Sequence, residues 1–301
     1  MDVSELRQAL KESNSPVTWV SLVGQFFGSH DLFYGHGTDN ASDEAHWLVE
    51  AASRCESEKL NAGFSSKLDY VFNIAVKRVN ERKPLAYLLN EAWFAGLPFY
   101  VDERVLIPRS PLAEIIERQF APWARLEPGH RVLEIGTGSA CVAVAIAHHC
   151  PGVLIDATDI STQALTVAAI NTKGWEEQIR LIQSDLFSAI EGQYQIIVSN
   201  PPYVAHDRLV ELPAEYQHEP SLAFEGGSDG LSVVNRLLHL AAEHLTTNGL
   251  FFLEVGEAQS AFSSSHIRLP ATWLDFERGG EGVAVLTREE LTGYLADQNS
   301  F

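Results

Sequence analysis

"RVLEIGTGSACVAVAIA", residues 131–147, sets an apolar run against two glycines and then resumes with valine and alanine. Val132 and Leu133 read as an apolar strand that ends at Glu134. Gly136 and Gly138 read as a loop whose backbone N–H groups approach a ligand closely. A helix begins near Ser139, and its N-terminus suits an anionic group or a ribose. A Gly-x-Gly loop alone is weak evidence, and a bare strand-to-helix turn is the competing explanation.

The surrounding pattern decides between them. Further apolar strands read out in "VLIDATDI", "IRLIQSD", "QIIVSN" and "LFFLEVG", and between them lie "STQALTVAAINTKG" and "GLSVVNRLLHLAAEHLTTNG", which carry helical periodicity. That alternation predicts right-handed βαβ crossovers in a parallel sheet. "TWLDFERG" and "EGVAVLT" are separated only by a glycine-rich link and predict a terminal hairpin. The expected fold is α/β, a seven-stranded mixed sheet whose final strand runs antiparallel.

The region before residue 92 predicts helices without strands. In "SDEAHWLVEAAS", Ser42 is placed as the cap, with Ala45, Leu48, Val49 and Ala52 on one face. "SSKLDYVFNIAVKRVNER" repeats the spacing and is stopped by Pro84, and "FFGSHDLFYGHGTDN" reads as a turn-rich connection. "AWFAGLPFYVDERVLIPR" is aromatic, β-branched and broken by Gly96 and Pro98, which predicts a linking hairpin that leans on both neighbours. The expected organisation is a helical domain over 1–91, a hairpin over 92–109 and the sheet domain over 110–301.

Three strand ends carry the chemistry. Asp159 closes its strand at the C-terminal edge, where its carboxylate can accept both hydroxyls of a ribose; Asp156 lies mid-strand and is the poorer candidate. Asp185 in "QSDLF" suits an exocyclic amine, with Leu186 against the ring, although a helix cap is the bland alternative. Together with the glycine loop they imply an adenosine-containing cofactor.

"IIVSNPPYVAHD", residues 196–207, says which one. Pro201 and Pro202 fix φ and remove two N–H donors in succession, leaving carbonyl acceptors. The side-chain oxygen of Asn200 and the carbonyl of Pro201 can take both hydrogens of an –NH2 group, with Tyr203 as a flat surface beside it. Hydride transfer has no use for such a clamp. Methyl transfer from a sulfonium to a planar nitrogen does.

Composition narrows the rest. Hydrophobic residues at 46% and charged residues at 20% are ordinary for a globular chain, and no run approaches a membrane span. "MDVSELRQALKESNS" is polar and acidic where a signal peptide has a basic and then apolar segment, so the expected location is the cytoplasm. A formal charge of -19 argues against a sequence-independent grip on nucleic acid and permits a basic macromolecular partner. The three cysteines, Cys55, Cys141 and Cys150, lack metal-ligand spacing and are expected reduced and buried.

On "EIGTGSA" and "NPPY" the chain resembles the class I S-adenosylmethionine-dependent methyltransferases. Adding the helical N-terminal region, "PLAYLLNEAWFAGLPFYVDERVLIPRS" and "GGEGVAVLT", it resembles the HemK-type N5-glutamine methyltransferases over nearly its whole length. "FYGHGTDNASDEA" and "RVLIPRSPLAEII" look like the branch that modifies a glutamine of the third large-subunit ribosomal protein. The release-factor branch typically continues the shared "PR" with Pro-Asp-Thr-Glu and commonly has Trp where Leu186 stands.

The resemblance implies S-adenosyl-L-methionine as cofactor, with "EIGTGSA" from Glu134 as its loop. Methionine and ribose contacts fall on Gly136, Thr137, Gly138, Ser139 and Ala140, ribose hydroxyls on Asp159, and adenine surroundings on Asp185 and Leu186. Asn200, shared with the cofactor edge, and Pro201, Pro202 and Tyr203 take the substrate amide. Family members usually have glycine where Ala140 stands, which implies a modest effect on loop packing. Arg109 can contact the cofactor carboxylate or the substrate main chain and His36 can touch substrate, but the commoner roles are a hairpin salt bridge and a turn-stabilising histidine.

The leading expectation is therefore an enzyme that methylates a glutamine side chain of a ribosomal protein or assembly intermediate, without metal or membrane. Release factors as substrate, adenine in nucleic acid as acceptor, and a nonenzymatic ribosome-assembly factor are the alternatives. An NAD-dependent oxidoreductase is set aside, because "GTGSAC" lacks the final fingerprint glycine and leaves "NPPY" unexplained.

Overall fold

The computed structural model describes residues 1–13, 15–54 and 64–298. The chain divides into two units, Met1–Ala92 with Pro213–His218, and Trp93–Leu212 with Glu219–Phe301.

The first unit contains α1 (Val3–Glu12), α2 (Pro16–Gly28), α3 (Ala41–Arg54), α4 (Phe64–Glu81) and α5 (Leu85–Leu89). Asp2 and Glu5 form a reciprocal capping box at the start of α1, satisfying the amides of Asp2, Ser4 and Glu5 that a helix start otherwise leaves open. Leu6, Trp19, Phe26, Leu48, Val71 and Ala75 come from four of the helices into one apolar core. α3 is capped by Asn40, whose side-chain oxygen accepts from Ser42 N and Asp43 N, and not by Ser42 as the sequence predicts. Asn40 lies outside the apolar periodicity, so the pattern placed the helix start too late. Within "FFGSHDLFYGHGTDN", the first glycine closes α2 and only residues 29–40 connect α2 to α3.

A two-stranded sheet follows, β1 (Ala92–Phe94) and β2 (Leu97–Phe99), which belongs to the second unit from Trp93 onward. This hairpin is shorter than the expected 92–109. After Phe99 the chain turns at Asp102, whose side chain accepts from Arg104 N at 3.1 Å, and no strand forms among residues 100–109. Phe94 and Phe99 join the core of the sheet unit.

α6 (Leu112–Glu117) leads into β3 (Arg131–Ile135), α7 (Cys141–His149), β4 (Leu154–Asp159), α8 (Thr162–Asn171), β5 (Ile179–Gln183) and β6 (Tyr194–Ser199). Then follow α9 (Ser232–His244), β7 (Leu245–Glu254), α10 (Gln259–Ser265), β8 (Thr272–Trp273), β9 (Val283–Thr287) and α11 (Arg288–Gln298). The seven-stranded sheet has the order β5-β4-β3-β6-β7-β9-β8. β9 inserts between β7 and β8, antiparallel to both, and β8 keeps only two residues of the predicted "TWLDFERG".

Alternation along the strands divides the interior into two layers. Val132, Ile196, Val198 and Phe252 face one layer with α6 and α7, and Leu133, Ile197, Phe251 and Leu253 face the other with α9 and α11. Cys141 and Cys150 are free thiols, Cys150 buried and Cys141 partly so, while Cys55 lies outside the described residues. Among the described residues no helix is long and apolar enough to cross a membrane.

Candidate active site

Strand register builds the site. Ile135 pairs with Thr158 on one side and with Ser199 on the other, so the next residue of each strand, Gly136, Asp159 and Asn200, falls in one row across the sheet edge. Asp159 pairs in turn with Gln183, which brings Ser184 and Asp185 to the same edge. The strand order reverses at β3, whose neighbours β4 and β6 lead the chain in opposite directions, and open α/β sheets bind ligands at such a point. A cavity of about 250 Å³ opens there.

Of the residues singled out by sequence, Gly136, Gly138, Asp159, Asp185, Leu186, Asn200, Pro201 and Pro202 line this cavity. Gly136 and Gly138 have φ of +77° and +53°, in the left-handed region where a side chain is costly. Asp159 is buried, and its two oxygens accept from Gly138 N at 2.9 Å and Ser161 N at 2.8 Å. Each oxygen keeps a further lone pair, which suits a vicinal diol. Burial pushes the Asp159 carboxyl above its ordinary value, opposed by those backbone donors. Asp185 is half exposed and accepts from Arg236 Nη2 at 2.8 Å. Asp185 therefore shares its charge with a cation from α9 and is not a helix cap.

Glu134, Thr137, Ser139 and Ala140 are buried behind the loop and do not line the cavity. Glu134 Oε2 accepts from Thr137 Oγ1 at 2.7 Å and from Ala143 N at 3.0 Å, tying the loop to the first turn of α7. Burial pushes its carboxyl up to about 8. Ala140 caps α7 at φ +63°, a left-handed conformation. Tyr203 also stands off the cavity lining and packs with the second apolar layer.

Three residues left open by sequence have plain structural roles. Asp156 accepts from Arg131, Arg180 and Tyr194 Oη on the sheet. Arg109 makes a two-pronged pair with Glu219, both bonds at 2.9 Å. His36 is buried, its ring 4.7 Å from that of Tyr216.

The sheet unit thus opens one cavity lined by the glycine loop, by Asp159 and by the corner of Asn200, Pro201 and Pro202. A ribosomal protein uL3 glutamine methyltransferase of Neisseria meningitidis serogroup A is 42% identical to this chain over 275 residues, covering 89% of this chain and 91% of the relative. The chain belongs to the ribosomal protein uL3 glutamine methyltransferase family. The family's member from Neisseria gonorrhoeae matches equally, at 42% identity over 89% of this chain and 92% of its own length. The family model described as "Methyltransferase small domain" matches residues 120–213, the span that holds β3 to β6 and Asn200 to Tyr203. Among solved structures, the hMettl16 catalytic domain in complex with MAT2A 3'UTR hairpin 6 superposes with a TM-score of 0.50 at 12% identity, covering 91% of this chain and 92% of that one. It shares the fold.

In this family member the cavity also takes residues that sequence reasoning missed. Arg104, Val105 and Leu106 form one wall, and Arg104 is held by Asp102 through a 2.8 Å bond from Nε. Ile160, half exposed directly after Asp159, and Leu222, more than half exposed, add apolar surface. An isoleucine at the mouth of a strand is the one signal that was available. Asn171 at the end of α8 donates to both Tyr100 O and Ser139 O at 2.9 Å, joining the segment after β2 to the glycine loop, two segments that no sequence pattern links.

Proposed function

We propose that this chain transfers the methyl group of S-adenosylmethionine to the side-chain amide nitrogen of a glutamine in ribosomal protein uL3. The observation that carries the reading is the row of Gly136, Asp159 and Asn200 on one cavity, in a chain whose relatives bear that activity in their names.

The residues present fit the cofactor. Gly136 and Gly138 leave the loop without side chains, Asp159 retains an acceptor on each oxygen for the two ribose hydroxyls, and Ile160 and Leu186 offer apolar surface for a purine beside Asp185. When bound, S-adenosylmethionine supplies an electrophilic methyl group on a sulfonium.

The remaining work falls to the corner at Asn200. An amide nitrogen is a weak nucleophile because its lone pair is delocalised, so holding it in line contributes much of the rate. Asn200 Oδ1 and the Pro201 carbonyl accept its two hydrogens, and Pro201 and Pro202 bring no competing N–H. The proton that the nitrogen gives up passes along one of these hydrogen bonds and on to solvent water, leaving a neutral N-methyl amide. Tyr203, which follows the two prolines and stands off the nucleoside cavity, is assigned the flat surface for the amide plane of the incoming glutamine outside that cavity. The acidity of the chain suits a basic ribosomal protein, and a ribosomal substrate supports a cytoplasmic location.

The test is transfer of labelled methyl from S-adenosylmethionine to uL3, a release factor and single-stranded DNA in separate reactions, followed by mass spectrometry. Label on a uL3 glutamine is expected. Label on the release factor keeps the chemistry and overturns the substrate, and label on adenine alone overturns both the substrate and the amide acceptor.

A further inference from the structure

"FEGGSDGL", residues 224–231, is a motif the active-site reading leaves unused. Its backbone is stitched to the chain just after Tyr203. Val204 N donates to Phe224 O and Gly226 N to Val204 O, both at 2.8 Å, and His206 N donates to Gly227 O at 2.9 Å. A Cβ built on Gly230 would stand 2.4 Å from Tyr203 O, and one on Gly226 would stand 2.5 Å from Gly230 O. Real Cβ atoms do not come within 3.0 Å.

A second pair closes on the ring. A Cβ on Gly256 would lie 2.7 Å from Tyr203 Cζ and Oη and 2.8 Å from Cε2, and one on Gly282 would lie 2.3 Å from Gly256 O. Tyr203 is therefore bracketed by Gly230 at its carbonyl and Gly256 at its phenol, each glycine backed by another. Turn geometry explains part of this, since Gly230, Gly256 and Gly282 have positive φ. It does not explain Gly226, whose φ is not in that region, so close approach is what forbids its side chain.

The contacts at Gly256 differ from the other three in kind. The atoms an added methyl would meet are the ring end of Tyr203, whereas at Gly226, Gly230 and Gly282 they are backbone. A methyl at 256 therefore pushes the ring, while methyls at the others push the fold. We propose that Gly256 is a positioning residue for methyl transfer: by its missing side chain it sets where the ring of Tyr203, three residues after Asn200, stands. This rests on the reading of Tyr203 as the surface for the acceptor amide. A displacement of about 1 Å in a positioned reaction costs on the order of 10²-fold in rate.

The experiment is a double-mutant cycle of Gly256→Ala and Tyr203→Ala in the full chain, with kcat and KM for uL3, affinity for S-adenosylhomocysteine, and Tm. The backbone strain of alanine at φ +44° is common to both backgrounds and cancels. With Tyr203 present, Gly256→Ala is expected to lower kcat about 10²-fold, with KM and nucleoside affinity within about threefold. With Tyr203→Ala it should change kcat by less than about threefold. An equal loss in both backgrounds, or no loss with Tyr203 present, overturns the proposal. Should Gly256→Ala fail to fold, recovery of Tm in the double variant supports it and failure in both backgrounds overturns it. If Tyr203→Ala alone leaves kcat unchanged, the reading of Tyr203 is wrong and the role of Gly256 falls with it.

Discussion

Arg78 Nη1 donates to Glu215 Oε1 at 3.3 Å, with side-chain exposures of 1% and 0%, so the pair is closed off from water. Glu215 also accepts from Arg82 Nη2 and from Phe33 N, both at 2.9 Å, and Arg78 also pairs with Glu44 and donates to Phe33 O. Burial pushes the Glu215 carboxyl up, but the donors from Arg82, Phe33 and Arg78 outweigh it and hold it below its ordinary value. Each charge is met by at least two partners, the condition under which a buried ion network is tolerated.

Glu215→Ala should therefore destabilise the first unit by about 2–4 kcal/mol, because Arg78 keeps only Glu44 as a counter-charge and Phe33 N loses its acceptor. Urea unfolding followed by tryptophan fluorescence measures this. A loss below about 0.5 kcal/mol would mean that the network is no stronger than a surface pair.

Asn200→Ala should reduce methyl transfer by at least about 10³-fold while leaving S-adenosylhomocysteine affinity within about threefold, because it removes one of two acceptors that hold the amide in line. Full activity in that variant would sink the amide corner.

Asp159→Asn should weaken S-adenosylhomocysteine binding by about 10- to 100-fold, the worth of one hydrogen bond to a charged group. The amide cannot accept on both sides, so either Gly138 N, Ser161 N or a ribose hydroxyl loses its partner. Titration calorimetry reads it, and an unchanged Kd would place the ribose elsewhere.

Glu134 gives a pH dependence with a definite sign. The folded protein holds its proton up to about 8, whereas the unfolded chain releases it near 4.5, so between those values the unfolded state binds fewer protons and stability falls as pH rises. Glu134→Gln keeps an oxygen for Thr137 and Ala143 and has no proton to lose. At pH 8 to 9 it should be the more stable protein, by at most about 5 kcal/mol at about 1.4 kcal/mol per pH unit, and the gap should close toward pH 4.5. A gap that does not vary with pH would show that Glu134 does not carry this linkage.

Ala140 sits at φ +63° and is fully buried. Glycine there relieves about 1–2 kcal/mol of left-handed strain and gives up about 0.8 kcal/mol of buried methyl together with unfolded-chain entropy. Ala140→Gly should thus be neutral within about 1 kcal/mol, whereas Ala140→Val should cost at least about 2 kcal/mol, since a β-branched residue resists both the conformation and the packing. Thermal unfolding with the two variants side by side checks the contrast.

The sheet and the edge that carries the candidate site were legible in the sequence because both are local. Strand, loop and helix follow one another within "RVLEIGTGSACVAVAIA", and once strands are parallel and in register, the residue that ends each one must share an edge with its neighbours. Gly136, Asp159 and Asn200 are such residues. Asn40 as the cap of α3 was also local, but it lay one step outside the apolar period that marked the helix.

What lay beyond reach were contacts between residues far apart in the chain. "FYGHGTDN" gave no sign that Phe33 and His36 surround Glu215 and Tyr216, because neither charge nor aromaticity announces its partner. The placement of Glu134 and Ala140 behind the loop, and of Tyr203 against Gly256, likewise depends on packing in three dimensions. Sequence alone determined which residue types stand at the strand ends, since backbone periodicity fixes their direction and spacing. Only the tertiary structure decided which of them face the cavity and which support it from behind, since that depends on how distant segments exclude one another's volume.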